Sequence, residues 1–407
     1  MTYLVGLAAV SLIIFVAHHL GNIRNISAPF RSLSFFKLNY LVLGMFIVLF
    51  FPDNFMIQFE HSREAIIMFC ISWIGLYYGC GLELRAHQKF PSKVILFNIL
   101  EPMIVFVFVT IIATLFFYFK YDGWDYTNIA VIIAIFCSFS IFRRHGILKR
   151  EGDSSHHPVL DDLLPVGNIF PVFALSIAGA LLFGTQNVTI VGYTFTGFFS
   201  IVIFNILFGV VGGVLFNMLI SAAGSSDAIS IILIGGTALC GGIAHVFSFS
   251  PLFVGTISGA FLINATLKRL QTLEALNNTN EIIERLFMFV LGTLLSPLVL
   301  LLKTGMIYIL LYALALFVFR STLKYIVSSL CISRIQNKSE DSILLWIGLT
   351  GQGILASGAA FECAFYVHLS PFIFLLFVTV LFLNQLAVGL YIWYKEKTKN
   401  TGKVSYA

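Results

Sequence analysis

Apolar runs of about 18 to 25 residues recur along the whole chain with short polar breaks between them, and a run of that length crosses a hydrocarbon core of about 30 Å as a helix. Thirteen spans are predicted, near residues 3–20, 33–51, 64–83, 94–118, 127–143, 157–184, 194–220, 227–244, 250–266, 282–302, 304–331, 342–364 and 371–394. Of the 407 residues, 59% are hydrophobic and 11% charged. A soluble core of this length could not bury that much apolar surface, so the pattern predicts an all-α polytopic membrane protein. No stretch is polar enough to form a separate soluble or nucleotide-binding module, and no cofactor is implied.

Charge sets the direction of threading. With the amino terminus outside, most Lys and Arg residues fall in inner loops and the tail, including Arg143, Arg144, Lys149, Arg150, Lys268 and Arg269, whereas the outer loops hold Arg63, Lys120 and Lys303. The positive-inside bias therefore predicts an outside amino terminus, a cytoplasmic carboxyl terminus and an odd number of crossings in the cell (inner or plasma) membrane. The net charge of +5 follows from this topology and does not point to nucleic acid. Met1 to Gly21 lacks a basic stretch ahead of its apolar run, which predicts a retained helix. The six cysteines form no CxxC pair and read as small hydrophobes.

Asp161 and Asp162 interrupt the sixth span, where a carboxylate costs roughly 2.5 to 3.5 kcal/mol at a helix centre and must face protein or water. Counted from a helix start at Asp153 or Ser154, Asp162 lies roughly 12 Å along the axis. Adjacent helical residues point about 100° apart, so the two carboxylates are expected to divide the work. A buried carboxylate is a hard ligand for an alkali cation and also a proton acceptor, so both ions compete for one group. Arg320, set in the run from Leu311 to Phe319, is the expected counter-charge. Lys324 is expected to snorkel to the interface. Glu101 and Glu362 are possible secondary polar sites. His157 and Asp161 share a face at four-residue spacing, but no third metal ligand converges on them. His245 reads as a satisfied polar residue.

Two spans contain residues that weaken a helix. In the fifth, Cys137-Ser138-Phe139-Ser140 precedes Arg143 and Arg144; in the twelfth, Gly348-Leu349-Thr350-Gly351-Gln352-Gly353 lies inside the apolar run. Glycine loses most entropy in a helix, and Ser and Thr offer the backbone competing hydrogen bonds. Broken helices at matching places in two halves point to a transport site near the midplane, with Ser138, Ser140, Thr350 and Gln352 as secondary ligands. Close helix contacts through small residues would account for either segment alone.

Several stretches together resemble the monovalent cation/proton antiporter superfamily. Val159-Leu160-Asp161-Asp162 is similar to its double-Asp motif, and Gly79-Cys80-Gly81-Leu82-Glu83-Leu84-Arg85 to its Gly-Leu-Glu-Leu signature. Ser250-Pro251-Leu252 with Gly259-Ala260-Phe261-Leu262, then Phe287 to Gly292, then Gly348 to Gly353, resemble further family segments in the family's order. The resemblance implies about 13 helices in inverted repeats, two of them discontinuous and crossing. It also implies a panel for homodimerisation (about 1–90 and 194–302) and an ion-translocating core (about 94–184 and 304–394). In that scheme Asp162 carries the ion and proton, and Asp161 faces Arg320. The expected function is exchange of a monovalent cation, foremost Na+ but also Li+ or K+, for H+, by a secondary transporter and not an enzyme. The fifth span lacks the family's Thr or Asp-Pro element, which leaves a gated leak or signalling effector as the alternative. Arg320 stands where electrogenic members carry Lys and cannot release a proton, so exchange close to electroneutral is expected.

Overall fold

The computed structural model describes residues 37–50, 53–87, 92–121, 127–140, 165–183, 188–190, 193–195, 198–301, 306–335, 352–366 and 371–404. These are helical apart from one short hairpin. In chain order the helices are α1 (Leu38–Phe50), α2 (Asp53–Cys80), α3 (Leu84–His87), α4 (Ser92–Tyr121), α5 (Thr127–Ser138) and α6 (Ile169–Phe183), followed by α7 (Phe198–Ala222), α8 (Ser226–Val246), α9 (Pro251–Ala265), α10 (Arg269–Leu301), α11 (Met306–Ile335), α12 (Ile354–Tyr366) and α13 (Pro371–Val404). Between α6 and α7, strands β1 (Val188–Ile190) and β2 (Tyr193–Phe195) pair antiparallel with Thr189 opposite Thr194.

Four stretches among the described residues are long and apolar enough to cross a membrane: Ile95–Phe119, Ile201–Ala222, Ser226–Val246 and Ile307–Val327. Their outward faces carry Val107, Phe108 and Ile111 on α4, Leu207 and Leu215 on α7, and Leu310 and Leu314 on α11, all exposed. So extensive an apolar exterior suits lipid and not water. Helix α10 departs from the expected span by starting at Arg269, well before the apolar run at 282. Its polar first half buries Ala275 and Leu276 and adds hydrogen bonds to α2: Trp73 Nε1 donates to Asn280 and Tyr77 Oη to Asn277, both at 3.2 Å.

The closest packing joins α2 to α9. Gly75 and Gly79 on one helix face Gly255 and Gly259 on the other, and a Cβ at any of the four would collide with the opposing backbone, at Leu252 O, Thr256 O, Ser72 O or Leu76 O. Gly75 lies over Leu252 and Gly79, one turn on, over Thr256, so the two helices run in the same direction. Small residues at four-residue spacing allow this backbone contact. The loop that follows α2 is clamped to the end of α9. Asn264 accepts from Leu84 N (2.9 Å) and donates to Leu82 O (3.1 Å), while Arg269 pairs with Glu83. A similar close approach joins α1 and α10, where a Cβ at Gly44 would strike Phe289 O.

Around this group α7 packs on α9 and α8 on α2. On the other side α4 packs on α5 and α11, and α11 on α13. Contacts between the two sets include Tyr78 Oη of α2 donating to Pro165 O ahead of α6 (2.7 Å), and Glu362 of α12 accepting from Leu252 N at the start of α9 (3.3 Å). The latter supplements the cap of α9, whose Ser250 hydroxyl accepts from Phe253 N at 3.1 Å with Pro251 in the first turn.

Candidate functional site

Helix α5 stops at Ser138, and residues 139 and 140 leave the helical path, at the place where Ser138-Phe139-Ser140 breaks the apolar run. A helix end leaves its last four carbonyls without intrahelical donors, and in an apolar interior each needs a partner. Here every one has a side chain assigned to it. The Ser138 hydroxyl donates to Ile135 O (2.6 Å), Gln352 Nε2 to Phe136 O (2.7 Å), Arg320 Nε to Cys137 O (2.9 Å) and Lys324 Nζ to Ser138 O (3.3 Å). Beyond the helix, Phe139 O accepts from Arg320 Nη2 (2.6 Å) and from Lys324 Nζ (3.2 Å). Two cations thus sit at the negative end of the α5 dipole, where positive charge is stabilised.

Ser140 closes the break. Its hydroxyl oxygen lies 2.7 Å from Lys324 Nζ, its N–H donates to Asn168 Oδ1 (2.9 Å), and its carbonyl accepts from Asn168 Nδ2 (3.2 Å). Asn168 occupies the turn just before α6 and is fully buried. One side chain therefore satisfies both backbone groups of the unwound residue.

The last two residues of the second expected break, Gln352 and Gly353, lie alongside. Residues 352 and 353 are non-helical and α12 begins at Ile354. Gln352 links both breaks, because its amide nitrogen reaches Phe136 while its Oε1 accepts from Asn384 Nδ2 of α13 (2.9 Å) and its carbonyl accepts from Gln385. Asn384 Oδ1 in turn accepts from Arg320 Nη1 (3.0 Å). Phe136 stacks on Phe377 at 4.3 Å between centroids and packs apolar surface against this network.

The sequence expectations fare differently here. Ser138, Ser140, Gln352 and Arg320 converge within one buried network; Asp161, Asp162, Thr350 and the pair His156 and His157 lie outside the described residues. Lys324 corrects its expectation. It does not snorkel: its side chain has 0% exposure and its ammonium lies 3.3 Å from Glu101 Oε1, itself at 0%. Arg320 and Lys324 are four residues apart, so the helix puts both on one face, and burying the first carries the second inward. Arg320 is therefore joined at the break by a second buried cation, Lys324. Glu101 precedes Pro102, which cannot donate to the carbonyl of Asn98 one turn earlier; that carbonyl faces Gly167, where a Cβ would come to 3.5 Å. Asn168, Asn384 and Gln385 were not anticipated. Their signal is an isolated amide within an apolar run, the same kind that marked Gln352.

Glu362 and His245 both find partners. Glu362 is buried at the first turn of α9 as described, and His245 Nε2 lies 2.8 Å from Glu64 Oε1, joining α8 to α2.

No protein-family profile matches the chain, and no curated protein matches it in sequence. Among solved structures, the sodium proton antiporter MjNhaP1 from Methanocaldococcus jannaschii, determined at pH 8, superimposes with a TM-score of 0.63 at 13% identity over 96% of both chains. The chain has the fold of a monovalent cation/proton antiporter. Within that fold, the carboxyl end of α5 and the residues ahead of α12 are held together beside the buried Arg320 and Lys324.

Proposed function

We propose that this chain is a secondary antiporter that exchanges a monovalent cation, Na+ first among the candidates, for H+, with Asp161 and Asp162 as the carboxylates at which the two ions compete. The observation that carries the reading is the charge of the break. Arg320 and Lys324 bring two positive charges into a buried site, Glu101 returns one negative, and buried charge demands compensation. A carboxylate doublet expected on the neighbouring helix answers that demand, and it would release or bind a cation as it gains or loses a proton. The structural likeness to an antiporter agrees with this reading. In it, the α1–α2 and α7–α10 group is the panel through which two copies pair, and α4–α6 with α11–α13 form the moving core. The full complement is about 13 spans, with the amino terminus outside and the carboxyl terminus in the cytoplasm.

Reconstituted vesicles carrying a pH gradient test the reading. Addition of Na+, Li+ or K+ is expected to dissipate the gradient with at least one of the three, and the order of the three ranks selectivity. Failure of all three across the pH range in which the protein stays folded contradicts antiport.

A further inference from the structure

Among the described residues Glu101 has one charged partner at contact distance, the Lys324 ammonium. Lys324 has three N–H bonds, and three oxygens take them: Ser138 O, Phe139 O and Ser140 Oγ at 3.3, 3.2 and 2.7 Å. The carboxylate lies 3.3 Å from the same nitrogen as a fourth neighbour, and neither of its oxygens receives a hydrogen bond. Buried carboxylates that stay ionised ordinarily accept several. The other titratable groups on the described helices packed against α4 are few. Helix α11 presents the Arg320 guanidinium, α5 presents the Cys137 thiol, and α6 contributes none.

We propose that Glu101 is a proton-binding carboxylate in its own right, a site separate from Asp161 and Asp162, that alternates between an ion pair with Lys324 and a neutral acid. An alkali cation does not suit this position. The carbonyls of residues 137, 138 and 139, which it would need as ligands, already bind Arg320 and Lys324, and both charges repel it. A proton needs one oxygen. When Lys324 loses its charge or is drawn away, the carboxylate keeps no compensation and takes up H+ at an oxygen, forming one O–H bond; the proton leaves when the ammonium returns. The use of this group in transport rests on the antiport reading, but its protonation does not.

Infrared difference spectra of the reconstituted full chain, recorded through a pH titration, read the protonated-carboxyl C=O band directly. In the Asp161→Asn/Asp162→Asn background a titrating band is expected to remain and to be lost on adding Glu101→Gln. Glu101→Asp is expected to restore a band at a displaced frequency. Because Glu101→Gln leaves Lys324 without its counter-charge, the comparison is repeated between Lys324→Gln and Glu101→Gln/Lys324→Gln, where the band is expected in the first and absent from the second. Spectra that show no band dependent on Glu101 at any pH overturn the proposal. Vesicles that fail to exchange ions leave this measurement unaffected, so the two readings fail separately.

Discussion

The contact between α2 and α9 and the break after α5 both place backbone against its surroundings in an apolar interior, by opposite means. In the first, four glycines let two helices touch backbone to backbone, with the Cys80 thiol of α2 also donating to Gly259 O of α9 (3.5 Å). In the second a helix ends, and its freed carbonyls are bound by Arg320, Lys324, Gln352 and the Ser138 hydroxyl. The glycine contact has a single arrangement fixed by steric fit. The break is held by charges whose state can change, and ion exchange requires such groups. A rigid seam on one side and a chargeable break on the other are what a panel and a core would each need.

Substitutions at each place separate these two kinds of stability. Lys324→Met is expected to be the most damaging, by about 3 to 5 kcal/mol, because it breaks a buried ion pair, forces Glu101 to give up its charge by taking up a proton, and leaves the Ser138 carbonyl without its donor. Adding Glu101→Gln should recover part of that loss, as read by thermal unfolding in detergent. Gly75→Leu or Gly259→Leu should cost about 1 to 3 kcal/mol or more by forcing α2 and α9 apart. Gly242→Ala, which meets nothing within 4 Å, should not destabilise and should add up to about 1 kcal/mol by removing the entropy that a helical glycine loses. Asn168→Ala removes both partners of the Ser140 backbone and is expected to cost about 1 to 3 kcal/mol. If instead the glycine substitutions proved harmless and Asn168→Ala proved worse than Lys324→Met, the division into steric seam and charged break would be wrong.

The smallest effect lies where the start of α1 meets the polar half of α10. The Lys37 ammonium, hydrogen-bonded to Glu281 at 2.6 Å, holds that carboxyl below its ordinary range, with Lys37 and Arg285 charge adding to the effect and partial burial opposing it. A carboxyl lowered in the folded state contributes stability above its unfolded pKa of about 4.3 and loses it as pH falls through the folded value. The melting temperature of Lys37→Met is therefore expected to lie slightly below wild type at neutral pH and to converge with it in acid.

Much of the architecture was legible because a bilayer leaves few choices. Apolar runs had to be helices, and α7, α8 and α9 fall within two to four residues of their expected bounds. The end of α5 at Ser138 and the start of α12 at Ile354 fall at the two places where Ser, Thr and Gly were expected to weaken a helix. The hairpin at 188–195 was not legible, since its Val-Thr-Ile and Tyr-Thr-Phe segments adjoin a long apolar run and are each only three residues. Nor was the Glu101–Lys324 pair. The longer apolar run flanking Arg320 favours it over Lys324 as the buried cation, but the i,i+4 relation between them puts both on one face. Pairing across helices depends on tertiary placement, which spacing along one helix does not report. The start of α10 shows the same limit, because Asn280 is polar by sequence and is buried where Trp73 of α2 donates to it.

Cation-driven proton movement across reconstituted vesicles, compared between wild type and Asp162→Asn at equal protein content, bears most directly on the exchange mechanism. Loss of movement in Asp162→Asn with the fold intact is the predicted result. Movement that survives the substitution at the wild-type rate contradicts it.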